Sequence, residues 1–438
     1  MSDHAVSTQE NQVPQVSLIE QVLDQTNILL AWERVKANKG SPGMDNMSIR
    51  DFLPWGKKYL PAILDSVRSG TYKPAPVKRV WIPKPNGEKR PLGIPTVLDR
   101  VLQQSLAQIL TPIFDVDFSD YSYGFRYGKR ASDAVQQVSV YAQQGYRWAV
   151  DCDLKSFFDI VNHDLLMHRV GLKVRDKKVL KLIGKYLRAG VRLEDGTTEA
   201  TSRGVPQGGP LSPLLANIML DPLDQRIQQM GLPFVRYADD FLILCKTQTQ
   251  ALQALSEVSA FITGTLKLIV NPNKTRVAKL EDCSFLGFQI QGKTIRRSDK
   301  AAARFKTRIR EILSRSRGIS MPQRITELAQ YLRGWFHYFK PGLRYKHMQD
   351  WDQWIRRRVR LCFWKQWKRP RRRRKMLIQL GADRDTVYLA TRSRKGYWRM
   401  SSNSIVQSAL NVQWLKDQGV LSLADLWVAY KYPQQVYS

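Results

Sequence analysis

A pair of adjacent carboxylates set between two apolar runs constrains this chain more than any other feature. Tyr237-Ala238-Asp239-Asp240 follows Phe234-Val235-Arg236 and precedes Phe241-Leu242-Ile243-Leu244. Apolar runs joined by a short polar break read as two strands and a tight hairpin turn, with both acids at the tip. Neighbouring acids repel unless a cation lies between them, so their placement on a rigid turn points to divalent metal. A solvated Asp-Asp turn needs no metal, and the rest of the chain has to decide between the two readings.

Charge narrows the partner. The 438 residues carry a formal net charge of +32, far from ordinary soluble proteins, which calls for a polyanionic partner. No apolar stretch approaches bilayer length, and the polar start Met1 to Gln15 lacks the pattern of a signal peptide, so nucleic acid is preferred over a membrane. The charge is also uneven: Arg296 to Arg399 holds 31 Lys or Arg against 7 Asp or Glu. A region of near-ordinary charge is thus joined to a basic one, the layout of an enzyme with an appended polyanion grip. Cys152, Cys245, Cys283 and Cys362 are widely spaced and form no CxxC pair, which reads as reduced thiols of a cytoplasmic protein. The five histidines make no zinc half-site, so a catalytic metal is expected on oxygen ligands.

Along the chain, residues 1–16 read as a mobile polar tail. Val80 to Pro95 reads as a hairpin through Pro85-Asn86-Gly87 that carries Lys84 and Arg90, followed by a helix from about Asp99 to Phe114. Trp148 to Leu154 is a strand ending in acids, Arg203 to Pro210 a loop leading into a helix over Leu214–Met219, and Leu252 to Leu266 a further helix. With Ser284-Phe285-Leu286-Gly287-Phe288 read as the closing strand and turn, the order predicts an α+β fold built on a split βαβ unit of ferredoxin-like type. Beyond Arg296, the spacing of Phe305, Ile309, Ile312 and Leu313, and of Trp351, Ile355, Val359 and Phe363, predicts amphipathic helices with cationic outer faces. Lys368 to Lys375 reads as a charged linker or arm, and a small mixed module occupies about 380–438.

Nucleotidyl transfer needs two divalent ions held by carboxylates from separate rigid elements. Asp153 at a strand end and Asp239-Asp240 at a hairpin tip supply three such acids. Asp151 shares the strand face of Asp153, and alternation alone does not separate the two. His163 after Asn162 reads as structural.

The ordered set of motifs resembles a known family. Asp153-Leu154-Lys155-Ser156-Phe157-Phe158-Asp159, Pro206-Gln207-Gly208-Gly209, Tyr237 to Asp240 and Phe285-Leu286-Gly287-Phe288 stand in the order of reverse transcriptase motifs. Ile94 to Arg100, Tyr123-Gly124-Phe125-Arg126 and Gly204 to Asn217 narrow the resemblance to group II intron-encoded reverse transcriptase/maturases. It implies a right-hand polymerase, with fingers and palm over 17–295, an α-helical thumb/maturase domain over 296–379, and a DNA-binding domain over 380–438. It implies Mg²⁺, two ions with Mn²⁺ as a substitute, on Asp153, the Leu154 carbonyl, Asp239 and Asp240, the last being the less firm of the paired acids. Lys84, Arg90, Phe158, Gln207 and Lys274 would bind the dNTP, Phe158 by excluding a 2′-hydroxyl and Lys274 by protonating pyrophosphate. Phe285, Leu286 and Gly287 would grip the primer end. Arg356, Arg357, Arg371 and Arg372 in the basic region would contact nucleic acid. The implied partners are a group II intron RNA, an RNA template with a DNA primer, a DNA target and dNTPs. The chain lacks the cysteine pairs and histidines of an HNH endonuclease, which suits the short branch of the family. A splicing-only maturase and an intron-independent polymerase recruited to defence or repair are the competing readings.

Overall fold

Which residues pack together divides the chain near Leu280 in the computed structural model, which describes residues 17–83 and 87–433. The first unit runs to Leu280 and the second begins at Glu281, with Ala142–Gln144 grouped with the second. The expected N-terminal tail lies outside the described residues.

In the first unit the strands are β1 (Val77–Pro83), β2 (Lys89–Ile94), β3 (Trp148–Asp153), β4 (Val191–Arg192), β5 (Thr198–Glu199), β6 (Phe234–Tyr237), β7 (Asp240–Cys245) and β8 (Arg276–Lys279). They form two sheets, ordered β2-β1-β4-β5 and β6-β7-β3-β8. The second sheet is antiparallel throughout, and its two central strands, β3 and β7, are the most apolar, with Ala149, Val150, Cys152 and Phe241 to Cys245 all buried. Both edges of these strands are paired, and apart from the partly exposed acids Asp151, Asp153 and Asp240 most of their side chains are buried, which is why the pair reads as near-continuous apolar sequence. The helix Gln248–Gly264 packs across β3, β7 and β8 and touches the helix Ser212–Gln229. The expected order of strand, helix, strand pair, helix and strand is present, but its closing strand is Arg276-Val277-Ala278-Lys279. That strand is short and polar at both ends because it lies at the sheet edge, so its sequence gives little strand signal.

The motif Ile94 to Arg100 is a scaffold. Thr96 caps the helix Val97–Asp115 through Asp99 N, and the buried Asp99 carboxylate accepts from Thr96 Oγ1 (2.7 Å), Tyr72 Oη (2.8 Å) and Ala75 N (3.2 Å). Arg100 Nη2 donates to Ser41 O (2.7 Å), which holds the glycine-rich loop after the second helix.

The second unit contains β9 (Phe288–Gln291) and β10 (Thr294–Arg297) as a hairpin, followed by helices only among the described residues. Its core is aromatic: Phe305 lies 4.3 Å from Trp335 and 4.4 Å from Trp351, ring centre to ring centre, in a buried cluster that continues through Val359 and Trp364. Three expectations change here. The segment 284–288 is a turn entering β9 of this unit and not a strand of the first unit's sheet. The run Lys368–Lys375 is not an extended arm but mostly helix, Pro370–Gln379, started by Pro370 in the first turn and anchored by buried Leu377. The module after 380 is helical among its described residues, not mixed.

One buried interaction fixes the acidic hairpin. Arg236, fully buried on β6, makes a two-pronged ion pair with fully buried Asp224 on the helix Ser212–Gln229, at 2.7 and 2.5 Å. Its Nη1 also donates to Asn217 Oδ1 (3.0 Å), two turns earlier on the same helix, and to Ala238 O (2.9 Å) in the turn itself. Asn217 Nδ2 in turn donates to Gly124 O (3.0 Å). A Cβ at Gly124 would lie 2.2 Å from Ala238 N, so the backbone of Tyr123-Gly124 packs directly against the hairpin turn. Burial pushes the Asp224 carboxyl up, and the guanidinium holds it down. Removing one partner leaves the other charge buried and uncompensated, so Asp224→Ala is expected to destabilise the protein by about 3–5 kcal/mol. Denaturant unfolding checks this: a midpoint close to wild type would show that the pair is not needed for the fold.

Candidate active site

The hairpin register brings the acids together. Asp153, the last residue of β3, lies directly opposite Asp240, the first of β7. Opposite residues of antiparallel strands point to the same face, so Asp151 and Asp153 share a face with Asp240. Tyr237 pairs with Asp240, leaving Ala238-Asp239 as a two-residue loop. Ala238 takes a φ of 58°, the positive value that primed hairpin turns require at their first loop position. A non-glycine residue there is strained, and the Arg236–Ala238 O bond and the packed Gly124 backbone hold it in place.

Like charges directly opposite in a sheet destabilise it, and the acids register this. Burial pushes the Asp239 carboxyl up, and Asp153 adds repulsion that Arg90 and Lys274 partly offset. Asp240 is pushed up to about 7, first by burial and then by Asp151, Asp239 and Asp153. Asp151 is also pushed up by burial but is balanced by Arg276, whose Nε lies 3.6 Å from its carboxylate. That pairing gives Asp151 a cationic partner on the edge strand β8.

Asp153 has different company. Lys274 Nζ sits 3.2 Å from both of its carboxylate oxygens, and Asn271 Nδ2 donates to Oδ2 at 2.8 Å. Backbone links close the same corner: Asn271 N donates to Asp153 O, and Lys155 N to Ile269 O. Among the described residues no three acidic, His or Cys side chains form a ready metal cage. The donor set is nonetheless all oxygen and carries more negative charge than its neighbours neutralise, and the Lys274 ammonium already occupies a cation position on Asp153. These residues fit hard divalent ions, with Lys274 displaced.

The other expected residues fall as follows. Arg90, on β2, is exposed and acts electrostatically on Asp239, while Lys84 lies outside the described residues. Phe158 is half-buried beside Phe157 (5.1 Å, edge-on), and its carbonyl accepts from Val205 N. That bond ties the residues after Asp153 to the loop carrying Gln207, whose own carbonyl accepts from Gly93 N at 2.8 Å. Gly208 has a φ of 121°, and a Cβ there would lie 2.4 Å from Gly93 O, so only glycine lets this loop meet the end of β2. Leu154 is buried and bridges to Val270. His163 Nε2 is within 2.7 Å of Gly204 O, a structural contact.

In the second unit, Phe285-Leu286-Gly287-Phe288 is a turn with both central residues left-handed, φ 50° and 81°. Tyr338 Oη donates to Leu286 O at 3.0 Å and Ser298 N to Gly287 O at 2.8 Å. Arg356 and Arg357 lie on the helix Tyr345–Gln366, and Arg371 and Arg372 are exposed on Pro370–Gln379. Sequence reasoning missed Asp224, Arg236, Asn217 and Asn271. An arginine inside an apolar strand was the available sign of a buried partner.

The raised Asp240 pKa gives a signed expectation. An unfolded aspartate titrates near 3.9, so the folded protein holds this proton more tightly. The resulting stabilisation is fully present below about pH 3.9 and is lost as pH rises through about 7. Without divalent ions, wild type should therefore gain stability relative to Asp240→Asn as pH falls from about 7 to 5, with no change above about 8. Thermal unfolding of the two proteins across that range checks it, and parallel curves would overturn it.

Comparison with known proteins supplies the family. Residues 82–290 match the reverse transcriptase (RNA-dependent DNA polymerase) family, and residues 302–379 match the group II intron maturase-specific domain. Protein YkfC of Escherichia coli is 33% identical over 295 residues, 58% of this chain and 77% of that protein. The group II intron-encoded protein LtrA of Lactococcus lactis is 31% identical over 346 residues, 63% of this chain and 57% of that protein. A putative COX1/OXI3 intron 2 protein of Saccharomyces cerevisiae is 26% identical, over 60% of this chain and 38% of that protein. The chain thus spans little more than half the length of LtrA and less of the yeast protein. With a reverse transcriptase domain around the paired acids and a maturase domain after it, the chain belongs to the group II intron-encoded reverse transcriptase/maturase family.

Proposed function

We propose that the protein is an RNA-dependent DNA polymerase that copies intron RNA into DNA, and a maturase that binds its group II intron RNA to promote splicing and retrohoming. The observation that carries the reading is the register that sets Asp153 opposite Asp240, with Asp239 beside it on a turn held from behind by Arg236. In this reading the sheet of β6, β7, β3 and β8 is the palm and the β1–β2 hairpin belongs to the fingers. Fingers and palm run over 17–295, thumb and maturase domain over 296–379, and a DNA-binding module over 380–438. The four cysteines, all buried and in no disulfide, suit the cytoplasm.

Two divalent ions, Mg²⁺ with Mn²⁺ as a substitute, would supply activation of the primer 3′-hydroxyl and neutralisation of the leaving pyrophosphate. Asp153, Asp239, Asp240 and the Leu154 carbonyl would hold them. Arg90 and Lys84 meet the triphosphate of the dNTP. Phe158 limits space at the sugar, and the Gln207 loop, fixed to Gly93 N, supports the nascent base pair. Lys274, which contacts Asp153, would protonate the leaving pyrophosphate once released from that carboxylate. The left-handed turn Phe285 to Phe288 grips the primer end. Arg356, Arg357, Arg371 and Arg372 contact the backbone of the RNA template–DNA primer duplex, the intron and the DNA target.

Primer extension on an RNA template with Mg²⁺ and dNTPs tests the reading. Asp239→Ala is expected to lower the rate by at least about a hundredfold, as removal of one electrostatic stabiliser does elsewhere. Extension by the variant at the parent rate would overturn the assignment. Phe158→Ala should raise rNTP incorporation relative to dNTP by about tenfold or more, the scale on which steric pockets discriminate. Unchanged sugar selectivity would remove Phe158 from that role.

A further inference from the structure

Between the helix Tyr345–Gln366 and the short helices after Gly396, the second unit holds a cavity of about 440 Å³ lined by residues of that unit alone. It is of the size that takes a small ligand. Its wall combines three guanidinium groups, Arg356, Arg357 and Arg360, with Trp354 and Trp398 and with the polar side chains of Ser401 and Gln407.

The three arginines are not equally engaged. Arg357 lies 3.9 Å over the Trp398 ring and donates through Nη2 to Trp398 O at 3.2 Å, so in addition to any nucleic-acid backbone contact it holds that indole in the wall. Arg360 is 7% exposed and uses Nε to donate to Leu410 O at 2.9 Å. Arg356, one turn before Arg360, has no hydrogen bond or ion pair among the described residues. Burial lowers the Arg360 pKa and the neighbouring Arg356 lowers it further. Asp352 attracts Arg356 electrostatically, but its carboxylate oxygens accept from Ser422 Oγ, Leu423 N and Ala424 N, capping the last helix, and form no ion pair with either arginine. Exposed Asp350 is the one acid on the cavity wall.

Guanidinium pairs bind phosphate in forked fashion, and an indole face with amide and hydroxyl groups beside it accepts a base. A paired base is stacked within its helix and offers no free face to an indole, whereas an unpaired one does. We propose that this cavity receives one unpaired nucleotide of a bound nucleic acid, its phosphate on Arg356 and Arg360 and its base against Trp398. The proposal rests on the nucleic-acid-binding reading above and adds a local structural preference to it.

The test uses the full chain and labelled hairpins at fixed ionic strength. One stem is fully paired, a second carries a single bulged nucleotide, and a third carries an abasic residue at the bulge, each made in RNA and in DNA. Wild type is expected to bind the bulged stem about tenfold more tightly than the paired stem, and the abasic bulge should lose most of that preference. Preference in the RNA set or the DNA set identifies which strand is read. Trp398→Ala and, separately, Arg356→Ala should bring the bulged-to-paired ratio near one, with the thermal unfolding midpoint reporting that each variant is folded. Equal binding of bulged and paired stems in both sets, an abasic bulge bound as well as the intact one, or a ratio unchanged in both variants would each overturn the proposal. Wild type that extends primers and binds paired stems without preference would sink the cavity alone. Failure of all binding and extension would sink the functional reading with it.

Discussion

The geometry of the acidic hairpin depends on a charge pair that never meets solvent. Arg236 and Asp224 are both fully buried, and the guanidinium that satisfies Asp224 also reaches Asn217 and the carbonyl of Ala238. Isolated buried pairs offset their desolvation poorly, and a hydrophobic pair of equal volume is often as stable. What this arrangement supplies is direction. A planar five-donor fork ties one helix, one strand and one turn together at fixed angles, and an apolar contact fixes none of them. Because the turn is strained at Ala238, the tie also keeps the acids from relaxing apart.

The two units distribute charge in opposite ways. In the first, acids crowd one end of a sheet, and burial, with repulsion between the carboxylates added, pushes Asp239 and Asp240 toward protonation. In the second, arginines lie over aromatic rings that attract them, as with Arg373 over Trp364 at 4.5 Å and Arg374 over Tyr388 at 4.6 Å. The acids repel one another, and so do the crowded arginines, so cations would relieve the first cluster and phosphates the second.

Sequence carried the central strands, the acids and the ordered motifs because those signals are local: an apolar run, a turn, a glycine that backbone packing demands. The hairpin tip and Asp153 were legible for that reason. The edge strand Arg276–Lys279 was not, since two of its four residues are solvated cations and its identity as a strand comes from pairing with β3. The run Lys368–Lys375 misled in the opposite sense. Its charge suggested an extended arm, whereas Pro370 at the first turn and Leu377 inside made a helix of it. Arg236 was visible as a charge in an apolar strand, but its partners Asp224 and Asn217 lie on a helix that the sequence pattern started correctly and ended too early.

The contact between Lys274 and Asp153 has a kinetic meaning. Lys274 is largely solvent-exposed, and exposed ion pairs of this kind are worth at most about 1 kcal/mol, so its ammonium leaves the carboxylate easily. Were Asp153 to hold a divalent ion as proposed, Lys274 would have to give up this carboxylate, and its own side chain would keep the ammonium close by. Asp153 would then have a cationic partner whether or not an ion is bound.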